Sequence, residues 1–319
     1  MSADTEPARP SAAAPRPDLS GLEPRPGVPK PDPIVKGDGI RRTFGGLAAV
    51  DVEHIEIQRG VITALIGPNG AGKTTLFNLL TGFDMPDSGE WSFNGTSLQR
   101  VAPYKVARLG MVRTFQLTKV LAKLTVIENM RLGATGQRGE KFWSAALPFL
   151  WRSQEESNTR RADDLLARFK LDAKREDFAG SLSGGQRKLL EMARALMVDP
   201  ELIMLDEPMA GVNPALKQSL LGHVKSLRDE GRTVLFVEHD MDMVRDISDW
   251  VIVMAQGQIV AEGTPSEVMS NPAVIDAYLG AHHDTDLTEL DEDELESEAA
   301  AELDHEAATT ADEHRKDAP

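Results

Sequence analysis

A glycine-rich segment that ends in a lysine and two threonines is the first part of this sequence that points to chemistry. Residues 67–74 read Gly-Pro-Asn-Gly-Ala-Gly-Lys-Thr and lie between an apolar run predicted as a strand, 61–66, and a helical pattern, 73–80. Glycines allow a tight turn whose N–H groups converge on phosphate oxygens, and the following helix N-terminus adds a partial positive charge. The alternative is an ordinary glycine-rich turn between a strand and a helix. The residues expected to bind phosphate are Gly67, Pro68, Asn69, Gly70, Ala71, Gly72, Lys73, Thr74 and Thr75.

The residue types within this loop predict which part of a bound nucleotide each residue contacts. Lys73 is expected to reach the β and γ phosphates, the hydroxyl of Thr74 to hold Mg²⁺, and Thr75 to lie near the α phosphate. A phosphate loop alone fits kinases, GTPases and many ATPases, so other residues must narrow the class.

Two adjacent carboxylates follow a second apolar run. Asp206 and Glu207 come directly after residues 202–205, at the carboxyl end of a predicted buried strand, where open α/β sheets bind ligands. Asp206 is expected in the Mg²⁺ shell, and Glu207 can polarise a water for in-line attack on the γ phosphate. The alternative is a pair of acids that cap the next helix.

A third segment predicts a second anion site at the start of a helix. Ser183, Gly184, Gly185 and Gln186 open a helical pattern that runs to residue 197. A serine hydroxyl, unobstructed backbone N–H groups and the positive helix end favour an anion, although helix caps of this kind are common. Two copies of the chain arranged head to tail could each close the ATP of the other.

The elements that position these residues alternate between strands and helices. Short apolar runs at 202–205 and 233–237 predict buried strands, and helical patterns cover 186–197 and 214–228. This alternation predicts an α/β fold with a mainly parallel phosphate-loop sheet covered on both faces. Residues 39–57 and 90–94 alternate in polarity and predict an antiparallel subdomain.

Composition divides the chain into a body and two ends. Nine prolines among residues 1–33 predict a disordered leader. Residues 281–319 hold fifteen acidic and two basic residues, so this predicted disordered tail carries −13 of the net charge of −16. The near-neutral body, 34–280, argues against nucleic-acid binding, and the sequence has neither cysteines nor an apolar run long enough to span a bilayer.

The order of these motifs resembles that of ABC transporter nucleotide-binding domains over residues 34–280. The resemblance implies an inserted helical subdomain at about 117–197, and it assigns three further residues. Gln116, in Thr-Phe-Gln, would contact Mg²⁺ and the attacking water, and His239 would contact the γ phosphate and position Glu207. Phe44 would stack on adenine, against the alternative of a core phenylalanine. The sequence departs from the widespread family pattern at Asn213, where an aspartate is usual.

Several segments are similar to one subfamily, the LivG-type subunits of bacterial branched-chain amino acid importers. They include residues 75–83, 107–116, 207–214 and 271–280. Residues 137–159 resemble the longer insertion of this type. Their aromatic patch, Phe142-Trp143 and residues 148–151, is interpreted as a permease docking surface or as subdomain core.

The resemblance implies an ATPase subunit on the inner, cytoplasmic face of a cell membrane. Its expected partners are the permease subunits, a second nucleotide-binding subunit (a LivF-type paralogue or a second copy) and, indirectly, a solute-binding protein. Related ATPases that serve urea or amide uptake or lipopolysaccharide export remain alternatives for the cargo. A soluble non-transport ABC ATPase would carry two cassettes or a long coiled coil, and an unrelated phosphate-loop kinase or switch would not need Ser183–Gln186.

Overall fold

A six-stranded sheet of mostly parallel strands forms the centre of the fold. The computed structural model describes residues 17–114, 120–134 and 152–283. The strand order is β10-β9-β3-β8-β7-β6; β9 and β10 pair antiparallel, and the neighbours from β9 to β6 pair parallel. The strands are β3 (Ile62–Ile66), β6 (Met111–Arg113), β7 (Leu202–Asp206), β8 (Thr233–Val237), β9 (Trp250–Ala255) and β10 (Gln258–Gly263). Every residue of β3, β7 and β8 is buried, as expected for parallel strands covered on both faces.

A second, antiparallel sheet confirms the predicted flap. Its order is β2-β1-β4-β5. The strands are β1 (Pro33–Phe44), β2 (Leu47–Gln58), β4 (Ser88–Phe93) and β5 (Thr96–Ser97). The tip of the β1–β2 hairpin is the glycine pair 45–46, in which both residues have positive φ.

Helices follow the strands as the helical patterns predict. The bounds are α1 (Lys73–Leu80), α2 (Pro103–Arg108), α3 (Val126–Arg131), α4 (Arg152–Arg168), α5 (Gly184–Ala195), α6 (Pro214–Asp229), α7 (Met241–Ile247), α8 (Pro265–Met269) and α9 (Pro272–His283). Helices α3, α4 and α5 fall in the span expected for a helical subdomain, whose separate status stays a prediction. The docking patch within 137–151 and the acidic tail beyond residue 283 lie outside the described residues.

The leader differs from its sequence-based expectation over residues 17–32, here called the N-terminal segment. Leu19 and Val28 belong to the main hydrophobic core, each 5% exposed. Lys30 is fully buried and its Nζ donates to Glu262 Oε2 on β10 at 2.8 Å. The prediction of a disordered leader up to residue 33 is therefore wrong for this segment, because a few apolar and paired charged groups among the prolines anchor it to the body.

The chain divides into two units, Met1–Ala277 and Tyr278–Pro319. In the second unit the described residues are 278–283, the end of α9. No helix in the described ranges is both long enough and apolar enough to cross a bilayer.

Candidate functional site

The parallel register brings three predicted motifs to one edge of the central sheet. Leu65 on β3 pairs with Val237 on β8, and Val237 pairs with Asp206 on β7. The phosphate loop leaves β3 at this level, and Glu207 follows Asp206 directly. The residues that are expected to bind phosphate, to hold the metal and to polarise water therefore lie at the carboxyl ends of neighbouring strands, as in other open α/β sheets.

The loop between β3 and α1 fits closely against the rest of the molecule. Gly72 forms the N-cap of α1 with φ +99°, and a Cβ at this position would lie 2.2 Å from the carbonyl oxygen of Ala49 on β2. A Cβ at Gly67 would lie 2.0 Å from the carbonyl oxygen of Met254 on β9. Glycine is therefore required at both positions by backbone contact, and phosphate binding by this loop stays a prediction.

Lys73 points back into the loop. Its Nζ donates to the carbonyls of Gly67 at 2.7 Å and Pro68 at 2.8 Å. Burial lowers the pKa of Lys73, and the neighbouring carboxylates of Glu207 and Asp206 act in the opposite direction. A cation held by two loop carbonyls beside two carboxylates is well placed for a phosphate. The hydroxyl-bearing Thr74 is exposed beside it.

Asp206 is partnered by an arginine that sequence reasoning missed. It is 3% exposed, and Arg113 Nη2, at the end of β6, donates to its Oδ2 at 2.6 Å. Arg113 Nη1 also donates to Asn78 Oδ1 on α1 at 2.6 Å. The arginine therefore links the phosphate-loop helix to the strand that carries the expected metal ligand.

Glu207 has an unusual backbone conformation. Its φ is +45°, a left-handed value that costs a residue with a side chain roughly 1–2 kcal/mol. Lys188 on α5 and Glu238 after β8 both contact the backbone that follows it, Pro208 to Ala210. Neither residue is among those predicted from the sequence. The available signal was a basic residue on the helix that Ser183 opens and an acid directly before His239.

His239 and Phe44 lie on the surface. The side chain of His239 is 69% exposed, and the residue after it, Asp240, caps α7 by accepting from Met243 N at 3.0 Å. Phe44 is 50% exposed and the guanidinium of Arg42 lies over its ring at 4.7 Å from the centroid. Exposure excludes the alternative of a core phenylalanine.

The helix α5 begins with a capping box. Ser183 Oγ accepts from Gln186 N at 3.3 Å, and Gln186 Oε1 accepts from Ser183 N at 3.0 Å. Ser183 and Gly184 are exposed, whereas Gly185 packs so closely on α6 that a Cβ would lie 1.8 Å from Leu216 Cδ2. In the described part of the chain, no hydrogen bond joins Ser183–Gln186 to the phosphate loop.

Of the two remaining residues singled out in the sequence, Gln116 and Asn213, the structure describes only Asn213. Gln116 falls within 115–119 and lies outside the described residues. Asn213, the departure from the family pattern, caps α6, where its Oδ1 accepts from Leu216 N at 3.0 Å and Pro214 occupies the first helical turn. An asparagine performs this capping role as well as an aspartate.

The comparisons with family models give two matches. A model described as "ABC transporter" matches residues 51–210, and one described as "Branched-chain amino acid ATP-binding cassette transporter" matches residues 258–284.

Curated relatives agree with these matches over the body of the chain. The chain is 41% identical over 248 residues to the probable branched-chain amino acid transport ATP-binding protein LivG of Archaeoglobus fulgidus, with 78% of this chain and 96% of the relative covered. It is 39% identical over 251 residues to BraF, the high-affinity branched-chain amino acid transport ATP-binding protein of Pseudomonas aeruginosa, with 78% and 98% covered. LivG of Escherichia coli K12 is 40% identical over 251 residues, with 78% and 98% covered.

Solved structures give the same result for the fold. The ADP conformation of an ATP-binding cassette of an ABC transporter superposes with a TM-score of 0.68 at 38% identity, covering 78% of this chain and 99% of that one. A nucleotide-free ATP-binding cassette gives 0.67 at 38% identity, with 77% and 98% covered. The fold is therefore that of ABC ATPases, with the predicted parallel core and antiparallel sheet.

Proposed function

The chain belongs to the ATP-binding proteins of ABC transporters, in the branched-chain amino acid group, and on that premise we propose that it hydrolyses ATP to energise import of branched-chain amino acids. The single observation that carries hydrolysis is the register of β3, β8 and β7. It sets Lys73, Asp206 and Glu207 around the carboxyl edge of one sheet.

Each residue in this edge has a proposed task. Lys73 exchanges the carbonyls of Gly67 and Pro68 for β and γ phosphate oxygens. Glu207 accepts a proton from the attacking water, and His239 and Gln116 complete the surroundings of the γ phosphate. Phe44 stacks on the adenine ring. It is the last residue of β1, and β1 pairs with β2, whose Ala49 lies against Gly72 of the phosphate loop.

The residues present fit a Mg²⁺ ion. Asp206 offers a carboxylate and Thr74 an exposed hydroxyl, and hard cations of this kind take oxygen ligands and retain substrate phosphates. Mg²⁺ supplies charge neutralisation on the phosphates when bound. Arg113 donates to Oδ2 of Asp206 and so holds in place the carboxylate that would bind the ion.

The exposed start of α5 supports a composite site between two nucleotide-binding subunits. Ser183, Gly184, Gly185 and Gln186 would cover ATP bound to the phosphate loop of a second copy or a LivF-type paralogue. ATP-driven closure of this pair would move permease subunits on the inner face of a membrane. A solute-binding protein would deliver the amino acid to the permease.

The first test replaces the proposed general base. Glu207→Gln should lower ATP turnover by at least about 100-fold, because removal of a positioned base costs 10²–10⁴ in rate. Binding of ATP and ATP-dependent dimer formation should persist. Glu230→Gln, an exposed acid paired with Arg168 at the end of α6, is the matched control and should keep wild-type turnover. Near-normal hydrolysis by the Glu207 variant would remove the basis of the proposal.

The cargo is tested with the permease subunits and their binding protein in vesicles. Leucine, isoleucine or valine should stimulate ATP turnover and accumulate inside, whereas urea and short amides should do neither. Stimulation by urea or an amide alone would replace the proposed cargo while leaving the ATPase assignment intact.

A further inference from the structure

The strained backbone of Glu207 requires something to hold it. A φ of +45° is rare for a residue with a side chain, and such conformations persist only where the surroundings over-determine them. Glu207 is also the residue proposed to act on water. Its own N–H donates to the carbonyl of Val237 at 3.1 Å, which fixes one side of the residue.

The chain that leaves Glu207 is held by side chains from two other parts of the molecule. From α5, Lys188 Nζ donates to the carbonyl of Pro208 at 3.2 Å and also to that of Ala210. From the end of β8, Glu238 Oε1 accepts from the N–H of Met209 at 3.0 Å. Three successive residues therefore have a backbone group bound by one of two charged side chains.

The surroundings of the two side chains indicate that these bonds are not incidental. Glu238 is 2% exposed, and Lys188 and Glu207 line one small cavity together with Asp206 and Pro208. Burial lowers the pKa of Lys188, and the carboxylates of Glu238, Glu191 and Glu207 favour its charged form. Burying charged groups is costly unless they are paired and hydrogen-bonded, and here the partners are carbonyls and an N–H of 208–210.

We propose that Lys188 and Glu238 form a clamp on residues 208–210 that fixes the carboxylate of Glu207 for attack of water on ATP. Both are positioning residues, since neither is placed against the nucleotide. The clamp also ties the helix that begins at Ser183 to the general base of the same chain. The inference rests on the proposed function of Glu207.

The test uses the full-length chain with paired substitutions. Lys188→Met removes the hydrogen bonds to the carbonyls of Pro208 and Ala210, and Glu238→Leu removes the one from Met209 N. Lys188→Arg keeps a donor, and Glu238→Gln keeps an acceptor for Met209. Lys225→Met is the matched control. Lys225 is an exposed lysine near the C-terminal end of α6, and it pairs with Asp246 on α7 at 2.9 Å. Thermal unfolding of each variant checks that it is folded.

The kinetic expectation separates positioning from binding. Lys188→Met and Glu238→Leu should lower kcat by about 100-fold, the size of effect that a misplacement of about 1 Å produces. The affinity for Mg-ATP should stay within about twofold of wild type, since ground-state binding is not touched. Lys188→Arg and Glu238→Gln should restore most of kcat. An unchanged kcat, or a loss of kcat matched by an equal loss of affinity, would overturn the clamp.

A second readout does not require hydrolysis. Hydrogen exchange at the Met209 amide, measured without nucleotide, should accelerate by about tenfold or more in Glu238→Leu and in Lys188→Met, and remain slow in Glu238→Gln. Unchanged exchange in the first two variants would refute the clamp even if the ATPase assignment holds. If the wild-type chain instead failed to hydrolyse ATP, the exchange rates would still decide whether the clamp exists.

Discussion

At the level of single residues, the charged groups of the site are already paired within the protein. Lys73 is bound by loop carbonyls, and Asp206 by Arg113. Buried charges need such partners, so nucleotide and metal binding must exchange one set of contacts for another. Arg113 is the least expected member, because a basic residue before the Thr-Phe-Gln segment has no obvious partner in the sequence.

Glu238 provides a prediction about pH. Burial raises its pKa above the ordinary value of 4.5, and the bond from Met209 N only partly opposes this. The folded state therefore binds the proton more tightly than the unfolded state does. The stability this proton contributes is fully present below pH 4.5 and is lost as the pH rises through the folded-state pKa.

The comparison with Glu238→Gln isolates this effect. The free energy of unfolding of the wild type minus that of the variant should increase as the pH falls from 8 towards 4.5, measured by urea denaturation without nucleotide at each pH. Groups that do not interact with Glu238 titrate alike in both proteins and cancel. A difference that stays flat, or that decreases towards acid, would mean that Glu238 is not held in a buried, proton-favouring environment.

At the level of elements, the site is formed by the register of the parallel strands and by the close approach of the antiparallel sheet to the phosphate loop. The three strands β3, β8 and β7 present their ends together because their pairing is parallel and unshifted. The β1–β2 sheet then approaches the loop so closely that Gly72 meets the backbone of Ala49. The phosphate loop is thus shaped by a neighbouring sheet as well as by its own sequence.

Two loop glycines separate the effect of close approach from that of backbone conformation. Gly72→Ala should lose nucleotide binding and at least about 1 kcal/mol of stability, because its Cβ would meet a backbone oxygen in addition to the cost of positive φ. Gly70→Ala is the matched control, since Gly70 also has positive φ, +76°, but nothing lies within 4 Å of its Cβ position. Equal losses of stability in the two variants, measured by denaturant unfolding, would show that the contact with Ala49 is unimportant.

At the level of the whole molecule, the N-terminal segment extends the folded body. Glu262 binds this segment through Val28 N at 2.9 Å and Lys30 Nζ at 2.8 Å, and it also accepts from Trp250 Nε1 at 2.8 Å. Lys30 lies over the Trp250 ring at 4.7 Å from its centroid. The segment therefore covers the antiparallel end of the central sheet with a buried ion pair.

Two truncations test this role. Removal of residues 1–16 is the control truncation, because it keeps Leu19, Val28 and Lys30 and all of the contacts described above. Removal of residues 1–32 should destabilise the protein by on the order of 3–5 kcal/mol, because it removes the Lys30 partner of Glu262 and the buried side chains of Leu19 and Val28. The measurement is denaturant unfolding of both proteins. Equal stability of the two truncated chains would contradict a structural role for residues 17–32.

Much of the site could be predicted from the sequence because its chemistry is carried by local spacing. The loop of Gly67–Thr75, the Asp206–Glu207 pair and the Ser183 cap are each contiguous, and each follows or opens an element whose periodicity is readable. The strand and helix pattern likewise predicted the parallel core and the antiparallel flap, since burial on both faces and alternation leave different signatures.

Only the tertiary structure decided the contacts between segments distant in sequence. Arg113 with Asp206, Lys188 and Glu238 on residues 208–210, and Lys30 with Glu262 each join parts of the chain that no local pattern relates. The proline-rich composition of the leader did not reveal its anchored part, because a few buried side chains hold residues 17–32 although the average composition of the leader favours disorder. The physical reason is that periodicity records which face a residue presents, whereas the partner of a buried charge is determined by packing.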